Sequence, residues 1–174
     1  MPEPTTDVER VKLALSTEND GSAFYVDAAG RTSNKLARAA FEMLGKEEER
    51  HVALIESLGQ MLEGKGALGE PDSPTEKDLA KKVHTIYSAA HEEAASGDLD
   101  PGAAYEKAIE LEKKIASLYF GYAKECESDE AKHLFDVLYR EEQDHLSLLE
   151  DMHGYLTRPD DWFVDRDMVM LDGG

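Results

Sequence analysis

The sequence predicts an all-α protein: a four-helix bundle made of two repeated helical hairpins, with a crossover helix between them and a short packed C-terminal tail. Four long segments place apolar residues at alternating steps of three and four, the helical period, and Gly- and Pro-rich breakers separate them. Sliding the chain by 94 residues without a gap lays Glu18 on Glu112, Tyr25 on Tyr119, Ala37 on Ala131, Phe41 on Phe135, Leu44 on Leu138, Glu47 on Glu141, Glu48 on Glu142 and His51 on His145. One helix pair is therefore repeated as another, and two like hairpins around a pseudo-twofold axis face the same residues at each other. A chain of 174 residues is long enough to close one core, so a single domain over 1–174 is expected, with the bundle over about 6–156.

The first helix is expected from about Thr6 to Ala29, ending at Gly30, with the stripe Val11, Ala14, Glu18, Gly21, Tyr25, Ala28. The second runs from about Ser33 to Leu62, with the stripe Ala37, Phe41, Leu44, Glu48, His51, Ile55, Leu58, Leu62, and stops at "EGKGALGEPDSPT". Within that linker Ser73, Pro74 and Glu76 form a capping-box start with proline at the first helical position. They open a crossover helix, about 74–95, whose stripe Leu79, Val83, Ile86, Ala90 packs it on the outside of the bundle. Such a long connection between the second and third core helices distinguishes a ferritin-like bundle from an up-and-down one. After "SGDLDPG", Asp100 caps a third helix from Pro101 to Glu125, with the stripe Tyr105, Ala108, Glu112, Ile115, Tyr119, Tyr122. Ser128 caps the fourth, which reaches about Leu156 along Ala131, Phe135, Leu138, Glu142, His145, Leu149, Met152, Leu156. The tail, 157–174, carries Trp162, Phe163, Met168, Val169, Met170 and Leu171, and is expected to lie back against the bundle.

A formal charge of −19 disfavours nucleic acid and anionic membrane as partners. No apolar run approaches the roughly 20 residues that span a bilayer. One cysteine, Cys126, excludes a disulfide framework and any all-cysteine metal site within the chain. With no apolar leader in "MPEPTTDVER", the expected location is the cytoplasm.

The chemistry lies in the interruptions of the stripes. Glu48 with His51 and Glu142 with His145 stand where every neighbour on the seam is core-like, and Glu18 and Glu112 each break an apolar face in the same way. Burying an unpaired carboxylate costs several kcal/mol, so four in one seam require a compensating charge, which a pair of metal ions supplies. Glutamate and histidine three apart share one helix face and can bind one ion, while a carboxylate can also bridge two. Four glutamates and two histidines are the inventory of a di-iron or di-manganese carboxylate site. One E-x-x-H is a weak signal; two copies, each 30 residues after a lone core glutamate, are a strong one.

The stretches "STENDGSAFY", "EEERHVALIE", "IELEKKIASLY" and "REEQDHLSLLE" resemble the rubrerythrin-like branch of the ferritin-like superfamily, over residues 6–156. The resemblance implies two iron ions, with manganese or a mixed pair as the other choices, held by Glu18, Glu48, His51, Glu112, Glu142 and His145, some of these carboxylates bridging. It implies a di-iron peroxidase or oxidase that reacts with hydrogen peroxide or dioxygen in oxidative-stress defence. An external electron donor is then needed, because one cysteine cannot build the rubredoxin-like domain that usually feeds such a site. Ile115 stands where rubrerythrins look to have a second carboxylate one turn along the third helix, which leaves a ferroxidase or iron-handling role as the alternative. A non-catalytic acidic helical interaction module is the third option, and a homodimer is expected by analogy.

Tyr25 and Tyr119 are expected either to fill the core or to hydrogen-bond a ligand carboxylate. Gly21, opposite Ile115 in the repeat, either opens a space beside the metals or permits close packing. Glu47, Glu49, Arg50, Glu141 and Gln143 read as a charged flank facing water. His84, His91, His133 and His153 fall off the stripes and are not assigned to the site, and Cys126 reads as a small core or boundary residue.

Overall fold

Each helix starts on a short polar side chain that takes up an otherwise orphaned backbone amide. In the computed structural model, which describes residues 4–66 and 100–158, these are α1 Asp7–Arg31, α2 Lys35–Leu62, α3 Pro101–Glu125 and α4 Asp129–Thr157. Thr6 and Glu9 form a reciprocal capping box on α1. Asn34 accepts from the Ala37 amide, Asp100 from Gly102 and Ser128 from Ala131. Pro101 fills the first position of α3, where its missing N–H costs nothing. The first helix runs through Gly30 instead of stopping there, because Gly30 keeps an ordinary helical φ; only Gly64 has positive φ among the described residues, and it lies just past α2.

α1 packs on α2 and α3 on α4 as two antiparallel hairpins, which meet with α2 against α4 and α1 against α3. The fold is a ferritin-like four-helix bundle. One apolar cluster joins Tyr25 and Ala28 near the end of α1, Ala37 and Phe41 near the start of α2, Tyr105 of α3 and Met152 of α4. The other joins Val11 of α1, Ile55 and Leu58 of α2, Tyr119 and Tyr122 of α3, and Phe135 and Leu138 of α4. The second and third helices therefore run parallel, and the end of α2 is separated from the start of α3 by the bundle's length, roughly 40 Å for 28 residues. The expected crossover helix, with His84 and His91, lies outside the described residues, as does the tail beyond Arg158.

The start of α1 is fastened to the turn between α3 and α4. The Asp7 carboxylate accepts from the backbone amides of Glu127 (3.0 Å) and Ser128 (2.8 Å) and from Arg10 Nη1 (3.2 Å). Burial opposes ionisation of Asp7, but these donors outweigh it and hold its pKa below the ordinary carboxylate value. Cys126 is buried alongside, its thiol pushed up to about 12 by burial and the Asp7 charge, and it is an inert boundary residue. No helix among the described residues is long and apolar enough to cross a membrane.

Candidate metal centre

Between the two apolar clusters lies a polar belt. Glu18, Glu48, His51, Glu112 and Glu142 are completely buried and His145 is 5 % exposed. All six residues singled out from the sequence converge there, one glutamate from each of α1 and α3 and a glutamate–histidine pair from each of α2 and α4. Their ligand atoms form two groups, Glu18, Glu48, His51, Glu142 and Glu48, Glu112, Glu142, His145, and within each group the atoms lie within 4.8 Å of one another. Glu48 and Glu142 belong to both groups; Glu18 and Glu112 each belong to one.

Both imidazoles aim Nδ1 inwards. His51 Nδ1 is 3.0 Å from Glu142 Oε1 and 3.5 Å from Glu18 Oε2, and His145 Nδ1 is 3.3 Å from Glu142 Oε2 and 3.4 Å from Glu48 Oε1. The rings face each other, with centroids 5.4 Å apart. These close approaches are not aligned hydrogen bonds. Of the ten fully buried side-chain polar atoms without a hydrogen-bond partner among the described residues, eight belong to these six residues: both Nδ1 atoms, both oxygens of Glu48 and Glu142, and one each of Glu18 and Glu112. Native interiors rarely leave such atoms unsatisfied, so a concentration of carboxylate oxygens and imidazole nitrogens around one point fits a metal ion as the missing partner.

Electrostatics point the same way. Burial, reinforced by the neighbouring carboxylates Glu48 and Glu142 respectively, pushes Glu18 and Glu112 well above the ordinary carboxylate value. Burial disfavours charge on the imidazoles, yet the Glu142 charge and the hydrogen bond to Glu141 raise His51, and the close carboxylates of Glu142 and Glu48 raise His145. Burial and Glu142 oppose ionisation of Glu48, but interactions with Glu18, His145 and His51 bring it down to about 2; the His51 charge lowers Glu142 further against its own burial. Proton binding and metal binding at such a cluster are linked, because the same donor atoms take either.

Two tyrosines cross between the hairpins. Tyr25 O–H donates to Glu112 and Tyr119 O–H to Glu18, each phenol from one hairpin reaching the lone glutamate of the other. Burial and the adjacent carboxylate raise both phenol pKa values, keeping them donors. Of the two expected roles, hydrogen bonding to the carboxylate is the one observed, and it coexists with core packing against Phe41 and Phe135. Gly21 adjoins Glu48: a Cβ there would sit 3.6 Å from Oε2, ordinary contact distance, whereas the matching Ile115 fills its position.

The charged flank needs correction. Glu141 is 6 % exposed rather than solvated, and its Oε2 lies 2.9 Å from His51 Nε2 and 2.5 Å from Arg50 Nη2. Arg50 is half-buried and also donates from Nε to Glu47 Oε2 (3.1 Å), so Glu47 is held inside the same network, while Glu49 and Gln143 do face water. Packing of α4 on α2 brings Glu141 over His51 across 90 residues of sequence. A signal for it was present: the repeat sets a second glutamate directly before the seam glutamate in both halves. His133 is exposed and His153 lies near Glu106 (3.8 Å), both apart from the centre.

The family model described as Rubrerythrin matches residues 9–153 of the chain. No curated protein and no solved structure matches the chain significantly.

Proposed function

The chain belongs to the rubrerythrin family, and from that premise we propose that it holds a pair of iron ions in the polar belt and uses them to reduce hydrogen peroxide or dioxygen. The observation that carries this is the set of eight orphaned carboxylate and imidazole atoms at the bundle centre. Glu18 and His51 would hold one ion and Glu112 and His145 the other, with Glu48 and Glu142 shared, as the two ligand groups divide them. Bound there, an iron pair supplies the electrons that peroxide or dioxygen accepts, and an external donor restores them.

The rest is done by the chain. The apolar clusters on either side keep bulk water from the carboxylates, and Tyr25 and Tyr119 hold Glu112 and Glu18 in place by hydrogen bonds that leave each a free oxygen. Ile115, buried one turn past Glu112, favours a second reading, ferroxidase or iron handling, because a carboxylate there would add a seventh ligand residue.

Metal analysis followed by rapid mixing separates these. The expected result is about two irons per chain, by the ligand count, and anaerobically reduced protein that is oxidised quickly by peroxide and slowly by air. Iron far above that load, or faster oxidation by air, would favour iron handling; iron at background would end both readings.

A further inference from the structure

The two halves of the centre are near copies, and one contact breaks the copy. On the His51 side, Glu141 Oε2 receives both His51 Nε2 (2.9 Å) and Arg50 Nη2 (2.5 Å), and Arg50 Nε also holds Glu47 (3.1 Å). A carboxylate facing Nε2 keeps a proton on that nitrogen, so Nδ1, which faces Glu18, Glu48 and Glu142, is the nitrogen that an ion would take in exchange for a proton. The guanidinium fixes that carboxylate by a short charge-assisted bond in a half-buried setting, where the bond is screened less than at the surface. In the repeat the residue matching Arg50 is Asp144, which has no donor with which to copy the clamp.

We propose that Arg50, acting through Glu141, is a positioning residue that makes the metal position of His51 the tighter of the two, so that the ions load in order, the His51 side first. This rests on the metal-binding reading above. A ring already held in the binding orientation spends less free energy on ordering when the ion arrives, and an anionic acceptor on Nε2 makes Nδ1 a better donor to the ion.

The test is anaerobic titration of the metal-free 174-residue chain with Co(II), followed by calorimetry and by the visible absorption of bound cobalt. Wild type is expected to bind in two resolved steps. His51→Ala should abolish the tighter step and His145→Ala the weaker. Arg50→Ala should weaken the tighter step by roughly 10- to 100-fold and leave the other alone, and Arg50→Lys, which keeps the charge and one donor, should recover part of the loss. Circular dichroism melting of each metal-free variant reads any purely structural effect separately. Survival of the tighter step in His51→Ala, or an Arg50→Ala protein whose two steps are unchanged or equally weakened, would overturn the proposal while leaving the metal site standing. No cobalt uptake by wild type would instead overturn the metal-binding reading beneath it.

Discussion

Single residues at the centre do two kinds of work, supplying donor atoms and holding other donors still. Tyr25 and Tyr119 belong to the second kind. Tyr25→Phe keeps the ring and its packing but leaves an oxygen of buried Glu112 without its donor, so denaturant unfolding should show a loss of about 1–3 kcal/mol; an unchanged midpoint would mean that the hydrogen bond carries no stability. All six convergent residues were legible in the sequence because each interrupts a stripe whose period is fixed by the helix itself. Arg50 was not, and Glu141 left only the doubled glutamate of the repeat as a trace. They sit off the stripe, and their burial comes from the meeting of α2 with α4, a tertiary contact that no periodicity within one helix encodes.

Elements tell a similar story. Helix starts were legible from side chains that satisfy local amides, as at Asp100–Pro101 and Ser128. Helix ends were less so, since Gly30 continues α1 where a glycine read as a stop. The clasp at Asp7 was invisible beforehand, because its amide donors lie 120 residues away or more. Asp7→Asn should cost about 1.5–3 kcal/mol, the scale of hydrogen bonds to a charged group, measured by chemical denaturation at neutral pH. The sign in acid follows from the lowered native pKa: the contribution of Asp7 is complete above its ordinary value of 3.8 and is lost as pH falls below it through the depressed native value. The gap in stability between wild type and Asp7→Asn should therefore close in strong acid. A gap that stays constant down to pH 2 would show that ionisation of Asp7 is not the source.

At the scale of the molecule, a net charge of −19 surrounds a centre of four buried glutamates and two histidines. The field concentrates cations near the surface and should make metal association faster at low ionic strength. Metal bound only by the native state stabilises the whole fold by mass action, about 2.7 kcal/mol at a free concentration 100 times Kd. Thermal melts with Co(II) or Mn(II) should show a rise in Tm that a chelator reverses and that Glu48→Gln/Glu142→Gln lacks; equal shifts in wild type and the double variant would place binding elsewhere on the acidic surface.

The reciprocal tyrosines have a further consequence. Tyr25 serves Glu112 as Tyr119 serves Glu18, which is the pattern of an isologous interface, where residue i of one subunit meets j of the other and j meets i. The molecule is thus arranged as a homodimer of hairpins whose subunits share one chain. A true homodimer must make every substitution twice and is bound to two identical metal positions. Joining the halves lifts that obligation: Arg50 opposite Asp144 and Gly21 opposite Ile115 are changes made on one side only, and the linkage between the hairpins is what allows a symmetric frame to carry unlike residues on its two sides.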